Sequence, residues 1–338
     1  MDTGHWTSGL LLFWIALVGG AVGSFINVVV YRLPRGLSLI HPGSQCPACK
    51  HPIRARHNVP VLGWLMLRGR CYDCRAKISG RYPLVEAITA AMFVALALAG
   101  PFALAEGPPV DVPDADSWWM TTRWGLYGYH VFFLCTLFSL TLMELEQSPP
   151  ERVRFPWRLL IAALLIGLLL PLGWSAIGPQ AVGEVLPGVS AEEYLSMAVF
   201  DSMTGVVAAV LLMGWPTMTS AAYGSSDGRN RSWAAGNLVL VGAYLGSVAV
   251  VELTAFTAFV YLLTSSLARL WPGQRQLSWS LYLFAFTLFW LALWKPMVGW
   301  QPLSRSAADL YYQIALFASA AVFTLLTLAI TRSKKKLP

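Results

Sequence analysis

Cys46-Pro47-Ala48-Cys49 and, after 21 intervening residues, Cys71-Tyr72-Asp73-Cys74 stand in a basic stretch between two long apolar runs. Two CxxC pairs at this separation can close a tetrahedral thiolate site around Zn²⁺. The flanking runs, Gly9 to Tyr31 and Leu84 to Ala105, each exceed the roughly 20 apolar residues that cross about 30 Å of hydrocarbon. The pattern is a small metal-stapled domain carried on one face of a membrane protein.

The composition points the same way. The chain is 56% hydrophobic and 12% charged, with mean hydropathy +0.57, whereas a soluble chain carries about 25% charged residues. Seven further apolar runs follow: Trp124 to Leu145, Trp157 to Ile177, Ser196 to Tyr223, Trp233 to Val250, Leu253 to Trp271, Leu277 to Trp294 and Ala308 to Thr331. The expected fold is an all-α polytopic membrane protein of about nine transmembrane helices, with a break near Val250 to Glu252. The expected segments are 1–31, the first span; 32–83, the cysteine domain; 84–271, a membrane helical domain; and 272–338, additional spans and a basic tail.

Lys and Arg in short loops are retained on the cytoplasmic side. From Arg32 to Arg81 there are ten of them and one acid, Asp73, so this loop is expected inside. The next loop, Glu106 to Trp119, holds Asp111, Asp114 and Asp116 without Lys or Arg and is expected outside. Alternation then places the N-terminus outside and the Arg332 to Lys336 tail inside. The net charge of +7 reads as topology signal and contact with anionic lipid, and no nucleic-acid partner is expected. No basic segment precedes Leu10 and no small-x-small cleavage site is followed by a secreted domain, so the first run is read as a retained span rather than a signal peptide.

For the four cysteines the alternatives are Zn²⁺ ligation, two disulfides or free thiols. A cytoplasmic loop stays reduced, which favours the metal, and a segment of this size gains folding energy from an ion it cannot gain from a core. A closed four-thiolate site leaves no open position, so its zinc is structural. Cys135, alone in an apolar run, is expected to be a buried small hydrophobe.

The surroundings of the cysteines narrow the identity. In order come Gly23-Ser24-Phe25-Ile26-Asn27-Val28-Val29-Val30-Tyr31-Arg32-Leu33-Pro34, then Cys46-Pro47-Ala48-Cys49, then Asn58-Val59-Pro60-Val61-Leu62-Gly63-Trp64-Leu65. Leu67-Arg68-Gly69-Arg70-Cys71 and Ile78-Ser79-Gly80-Arg81-Tyr82-Pro83-Leu84-Val85-Glu86 complete the set. Over about residues 19–95 these segments closely resemble the N-terminal region of type IV prepilin peptidases. The resemblance implies a polytopic inner-membrane aspartic endopeptidase that removes short basic leaders from type IV prepilins and type II secretion pseudopilins. Many members also methylate the new N-terminus with S-adenosylmethionine. The implied partners are those leader segments and the pilus or type II secretion assembly components.

Such a protease needs two carboxylates sharing a proton, one activating water and the other polarising the scissile carbonyl. The family's first aspartate lies in an Ile-Asp-x-Asp stretch, which matches Leu142-Met143-Glu144-Leu145-Glu146 here. Glu144 takes the catalytic position, with a methylene that displaces the carboxylate by more than about an ångström, a shift that can cost about 100-fold in rate. The second aspartate lies in Gly-x-Gly-Asp-x-Lys, which matches Ala234-Ala235-Gly236-Asn237-Leu238-Val239. An amide at Asn237 cannot ionise. The family's Phe-Gly-Pro before a late span reads Trp279-Ser280-Leu281.

Other acids in apolar context are Asp201, read as an interfacial acid or helix N-cap, and Glu252; both are expected nearer the outer face. Trp6, Trp118, Trp119, Trp124, Trp157, Trp233, Trp271, Trp294 and Trp300 fall near span ends, as interfacial anchors do. Gly19, Gly20, Gly23 and Ser24 permit close helix packing. His41, His51 and His57 are expected to be solvated. The leading expectation is a divergent prepilin peptidase relative with proteolysis lost or severely weakened. The alternatives are an active peptidase using Glu144 with an unrecognised second acid, and a non-enzymatic membrane scaffold.

Overall fold

The computed structural model describes residues 3–99, 115–146, 154–173, 191–214, 228–268 and 278–291. Among these the protein is all-α apart from two isolated β-bridges. The helices are α1 (Thr3–Arg32), α2 (Leu62–Met66), α3 (Arg81–Ala99), α4 (Ala115–Leu145), α5 (Trp157–Gly173), α6 (Ala191–Leu212), α7 (Gly228–Ala268) and α8 (Trp279–Phe289). Gly9–Arg35, Arg81–Leu98, Trp124–Leu145 and Ala249–Ser266 are long and apolar enough to cross a membrane, and Trp157–Leu170, Val199–Leu212 and Trp279–Phe289 are shorter apolar helices. Phe13, Trp14, Leu17 and Val18 on α1 and Phe200, Met203, Val207 and Leu211 on α6 are exposed at helical spacing. Helices apolar on their outer faces as well as their inner ones are multi-pass membrane helices. The ninth expected run, Ala308 to Thr331, lies outside the described residues.

The chain forms two compact units: Met1–Ser117 with Glu146–Pro156, and Trp118–Leu145 with Trp157–Pro338. In the first, α1 and α3 pack through glycines. A Cβ on Gly19 would stand 2.9 Å from the Ala90 Cα, and one on Gly23 would stand 2.7 Å from the Glu86 Cα. The small residues are therefore where the backbones meet. Pro34 opens a 3₁₀ turn after Arg32, and Gly36, at φ 67°, ends it and turns the chain into the cysteine loop.

In the second unit, a buried aromatic stack ties three helices. The Tyr244 ring of α7 lies 4.6 Å from Tyr129 and 4.8 Å from Phe133 of α4, and its hydroxyl donates to the Ala163 carbonyl of α5 at 2.9 Å. Gly167 makes room, because a Cβ there would meet the Tyr244 ring at 2.5 Å.

Helix α7 contains the break expected from the sequence, but not where it was expected. Val250 and Glu252 are helical, and the non-helical residue is Gly246, at φ 82° and ψ −176°. Only glycine adopts that conformation without strain. The two halves pack separately. Against α6, Gly242 meets Gly205 and Gly246 meets Asp201, so the first half runs antiparallel to α6. Against α8, Phe256 meets Phe286 and Tyr261 meets Tyr282, so the second half runs antiparallel to α8.

Candidate functional site

Each CxxC pair is built by the same local turn. The Cys46 N–H donates to the His51 carbonyl and the Lys50 N–H to the Cys46 carbonyl. Likewise Cys71 donates to Ala76 and Arg75 to Cys71. Lys50 and Arg75, each one residue past the second cysteine, take positive φ of 62° and 60°. Each turn is pinned by a bridge, Gln45 with Pro52 and Arg70 with Lys77.

The two knuckles face each other. All four sulfurs lie within 4.8 Å of one another, with Cys46 to Cys74 at 3.8 Å and Cys49 to Cys71 at 4.0 Å. Zinc bonds of about 2.3 Å in a tetrahedron place sulfurs about 3.8 Å apart, so the donor set fits the ion. The Cys49 N–H holds the Cys46 thiol down, from 9.0 to about 6. Cys49 receives the His51 N–H, but burial and the Cys74, Cys46 and Cys71 sulfurs outweigh it and push the thiol up to about 12. Four thiolates this close need a cation to ionise together. His41 and His51 are exposed, and His57 is half-buried with its ring 5.1 Å from Tyr72. None of these histidines joins the cluster. Cys135, expected buried, is only partly so.

The surrounding loop is held by contacts that residue spacing did not announce. Asp73 pairs with Arg54 at 3.4 Å, and Arg54 covers the Tyr72 ring. Glu86 of α3 accepts the Val61 N–H at 2.7 Å, fixing a γ-turn in which Leu62 donates to the Pro60 carbonyl and Val61 holds φ 59°. Glu146, one of the glutamates at the family's aspartate positions, pairs with Arg81 and, at 3.7 Å, with Arg35. The signal for that clamp was available: two arginines closing a basic loop with almost no acid inside it.

In the second unit Glu144 is held near the end of α4, with Ser280 of α8 beside it. Two of the departures from the family pattern, Glu144 and Trp279-Ser280, are thus brought together. Asn237 is fully buried in α7. Glu144 Oε2, both amide atoms of Asn237, Ser280 Oγ and Trp279 Nε1 have no hydrogen-bond partner, so Glu144 and Asn237 are not bonded to each other. Each such buried group costs about 1–3 kcal/mol.

Asp201 is not an N-cap of its own helix, as one expectation had it. It sits within α6, and Oδ1 accepts from the Ser247 N–H at 3.2 Å and from its hydroxyl at 2.9 Å. The break at Gly246 frees the Ser247 N–H, so Asp201 caps the second half of α7 from a neighbouring helix. Glu252 lies beside Trp290, toward the far end of the α8 segment. Ser280 and Trp290 are ten residues apart, which along a helix is about 15 Å.

Residues 17–99 match the family profile of the bacterial peptidase A24 N-terminal domain. The prepilin leader peptidase/N-methyltransferase of Aeromonas salmonicida (strain A449) is 33% identical over 205 residues, covering 52% of this chain and 62% of that one. The Klebsiella pneumoniae protein of that name is 47% identical over 103 residues, covering 29% of this chain and 43% of its own. The type 4 prepilin-like proteins leader peptide-processing enzyme of Escherichia coli O78:H11 is 46% identical over 106 residues, or 26% of this chain and 39% of its own. The chain thus spans about two fifths to three fifths of the length of these relatives. No solved structure matches. The chain thus carries a match to the A24 N-terminal domain over residues 17–99 and is similar to prepilin leader peptidase/N-methyltransferases over up to 52% of its length.

Proposed function

We propose that this protein is a divergent prepilin peptidase relative of the inner membrane, whose cysteine domain and helical fold persist while aspartic proteolysis is lost or severely weakened. It keeps a structural Zn²⁺ on Cys46, Cys49, Cys71 and Cys74. It engages leader segments of pilin-like proteins, or pilus and type II secretion assembly components. It retains, as a second family activity, methylation that uses S-adenosylmethionine. The N-terminus lies outside, and the cysteine domain and C-terminus lie in the cytoplasm.

The observation that carries the reading is the placement of the acids in the second unit. A shared-proton dyad needs carboxylates about 3 Å apart. Glu144 has Ser280 beside it, Glu252 has Trp290, about 15 Å further along the α8 segment, and Asp201 is committed to Ser247. Asn237, at the second catalytic position, supports no proton transfer. These placements weigh against the second reading, an active peptidase built on Glu144 with another acid. A non-enzymatic scaffold shares the fold and differs by recovering no pilin-like protein or assembly component in a pull-down from its native membrane.

The test is incubation of the purified protein with a prepilin in detergent beside an active relative, followed by mass spectrometry. The relative is expected to remove the leader and this protein to leave it intact. Cleavage that disappears on Glu144→Gln would overturn the reading.

A further inference from the structure

The first unit contains a groove of about 330 Å³ along one face of α1. Its walls are Ala21, Phe25 and Val28 below, Arg32 above, and the loop residues Ile40 and Asn58 opposite. Ala21 and Arg32 are eleven residues apart, so the groove runs about 16 Å along the helix. Its α1 wall is mostly apolar from Ala21 to Val28, with Ser24 among these residues, and cationic at Arg32. The Arg32 guanidinium is held in place by donating to the Ser38 carbonyl at 3.0 Å and the Gly43 carbonyl at 3.5 Å. Of its five N–H donors, three remain for a ligand.

The rim is apolar where a water-facing loop would be polar. Ile40 of the loop is 75% exposed and Phe25 of α1 is 53% exposed. Large side chains on an extramembrane loop beside a membrane helix belong at the lipid interface. On the far side, the strained turn at Val61, clamped by Glu86, fixes Pro60, which closes over Gly20 at 3.1 Å from where a Cβ would stand. That wall is thus built and braced.

We propose that this groove binds one anionic phospholipid of the leaflet that meets the C-terminal end of α1. The phosphate sits on Arg32 and one acyl chain lies along Val28, Phe25 and Ala21. The charge of the domain selects this occupant. From Arg32 to Arg81 it carries ten basic residues and one acid, and that acid is paired with Arg54. A basic leader peptide meets like charge here, whereas an anionic headgroup joined to an apolar chain matches both ends. The inference needs only the membrane reading and is independent of whether proteolysis survives.

The test uses the full chain, delipidated in an uncharged detergent, with native mass spectrometry and thermal unfolding as readouts and bound zinc as the check on folding. Phosphatidylglycerol is expected to be retained as a single tight adduct and to raise the unfolding temperature, while phosphatidylcholine and soluble glycerol phosphate do neither. Arg32→Gln should weaken the phosphatidylglycerol adduct by about tenfold or more with zinc content unchanged. Val28→Trp, which fills the groove and leaves the guanidinium in place, should abolish it. Equal binding of the two lipids, equal protection by glycerol phosphate, or wild-type affinity in Val28→Trp would overturn the proposal. Displacement of the lipid by a basic leader peptide would reassign the groove to peptide.

Discussion

Within the first knuckle of the cysteine cluster, backbone N–H donation, first from Cys49, draws the proton from Cys46 ahead of Cys49. Cys46, held at about 6 by the Cys49 N–H, is a thiolate at neutral pH, whereas Cys49, pushed up to about 12, keeps its proton until a cation arrives. Zinc loading therefore releases protons, and its affinity rises with pH. The sign follows from the bound state holding fewer protons than the metal-free state. We expect one zinc per chain at pH 8 and progressive loss as pH falls through 6, where the Cys46 thiolate is itself protonated; metal content after equilibration with a weak chelator measures this. The double substitution Cys46→Ser with Cys71→Ser should abolish bound zinc at every pH, since it removes one ligand from each knuckle. That the four cysteines would meet was legible in the spacing alone. The turn that aims the sulfurs was not, because it places Lys50 and Arg75 at positive φ, where sequence preference favours glycine or asparagine.

Among the elements, the crossing of α6 and α7 depends most sharply on single atoms. Gly205 and Gly242 bring the two backbones together, each standing where a Cβ on the other would be 2.2 Å from a carbonyl oxygen. Four residues on, Gly246 breaks α7 and Asp201 takes up the freed N–H of Ser247. Gly246→Ala faces two costs: a conformation open essentially to glycine, about 1–3 kcal/mol, and a Cβ 2.1 Å from Asp201 Oδ2. We expect it to lower the unfolding temperature in detergent more than Gly128→Ala, where a Cβ meets nothing within 4 Å. Asp201→Asn retains an acceptor and should be mild. Asp201→Leu strands the Ser247 N–H and should cost about 1–3 kcal/mol. The existence of a break was readable from the interruption of the apolar run at Glu252. Its position was not, because the break sits where a side chain on another helix can receive the exposed N–H.

For the molecule as a whole, the cysteine domain and the apolar runs were legible because each rests on local pattern: ligand spacing in one case, span length in the other. The environments of Glu144 and Asn237 were not, since burial without a hydrogen-bond partner is a property of packed helices rather than of any short segment. Sidedness lies between these, because it follows from charge counted over loops. Glu144, in the last turn of α4, has Ser280 beside it, near the start of α8, and Phe138 stacks on Phe284 at 4.6 Å, so α4 and α8 run antiparallel. The C-terminal end of α4 and the N-terminal end of α8 therefore lie at the same end of the helix pair, and the segments 146–158 and 269–278 are expected on one side of the membrane. Both loops carry arginine, and the cysteine loop, two spans before the first of them, carries ten basic residues. By the retention of positive charge all three are expected on the cytoplasmic side. A periplasmically active phosphatase fused after residue 110 should be active, fusions after residues 70 and 150 inactive, and a fluorescent protein fused after residue 338 fluorescent. Activity at 150 with silence at 110 would invert the whole arrangement and carry the cysteine cluster into an oxidising compartment, where its thiols would pair rather than bind metal.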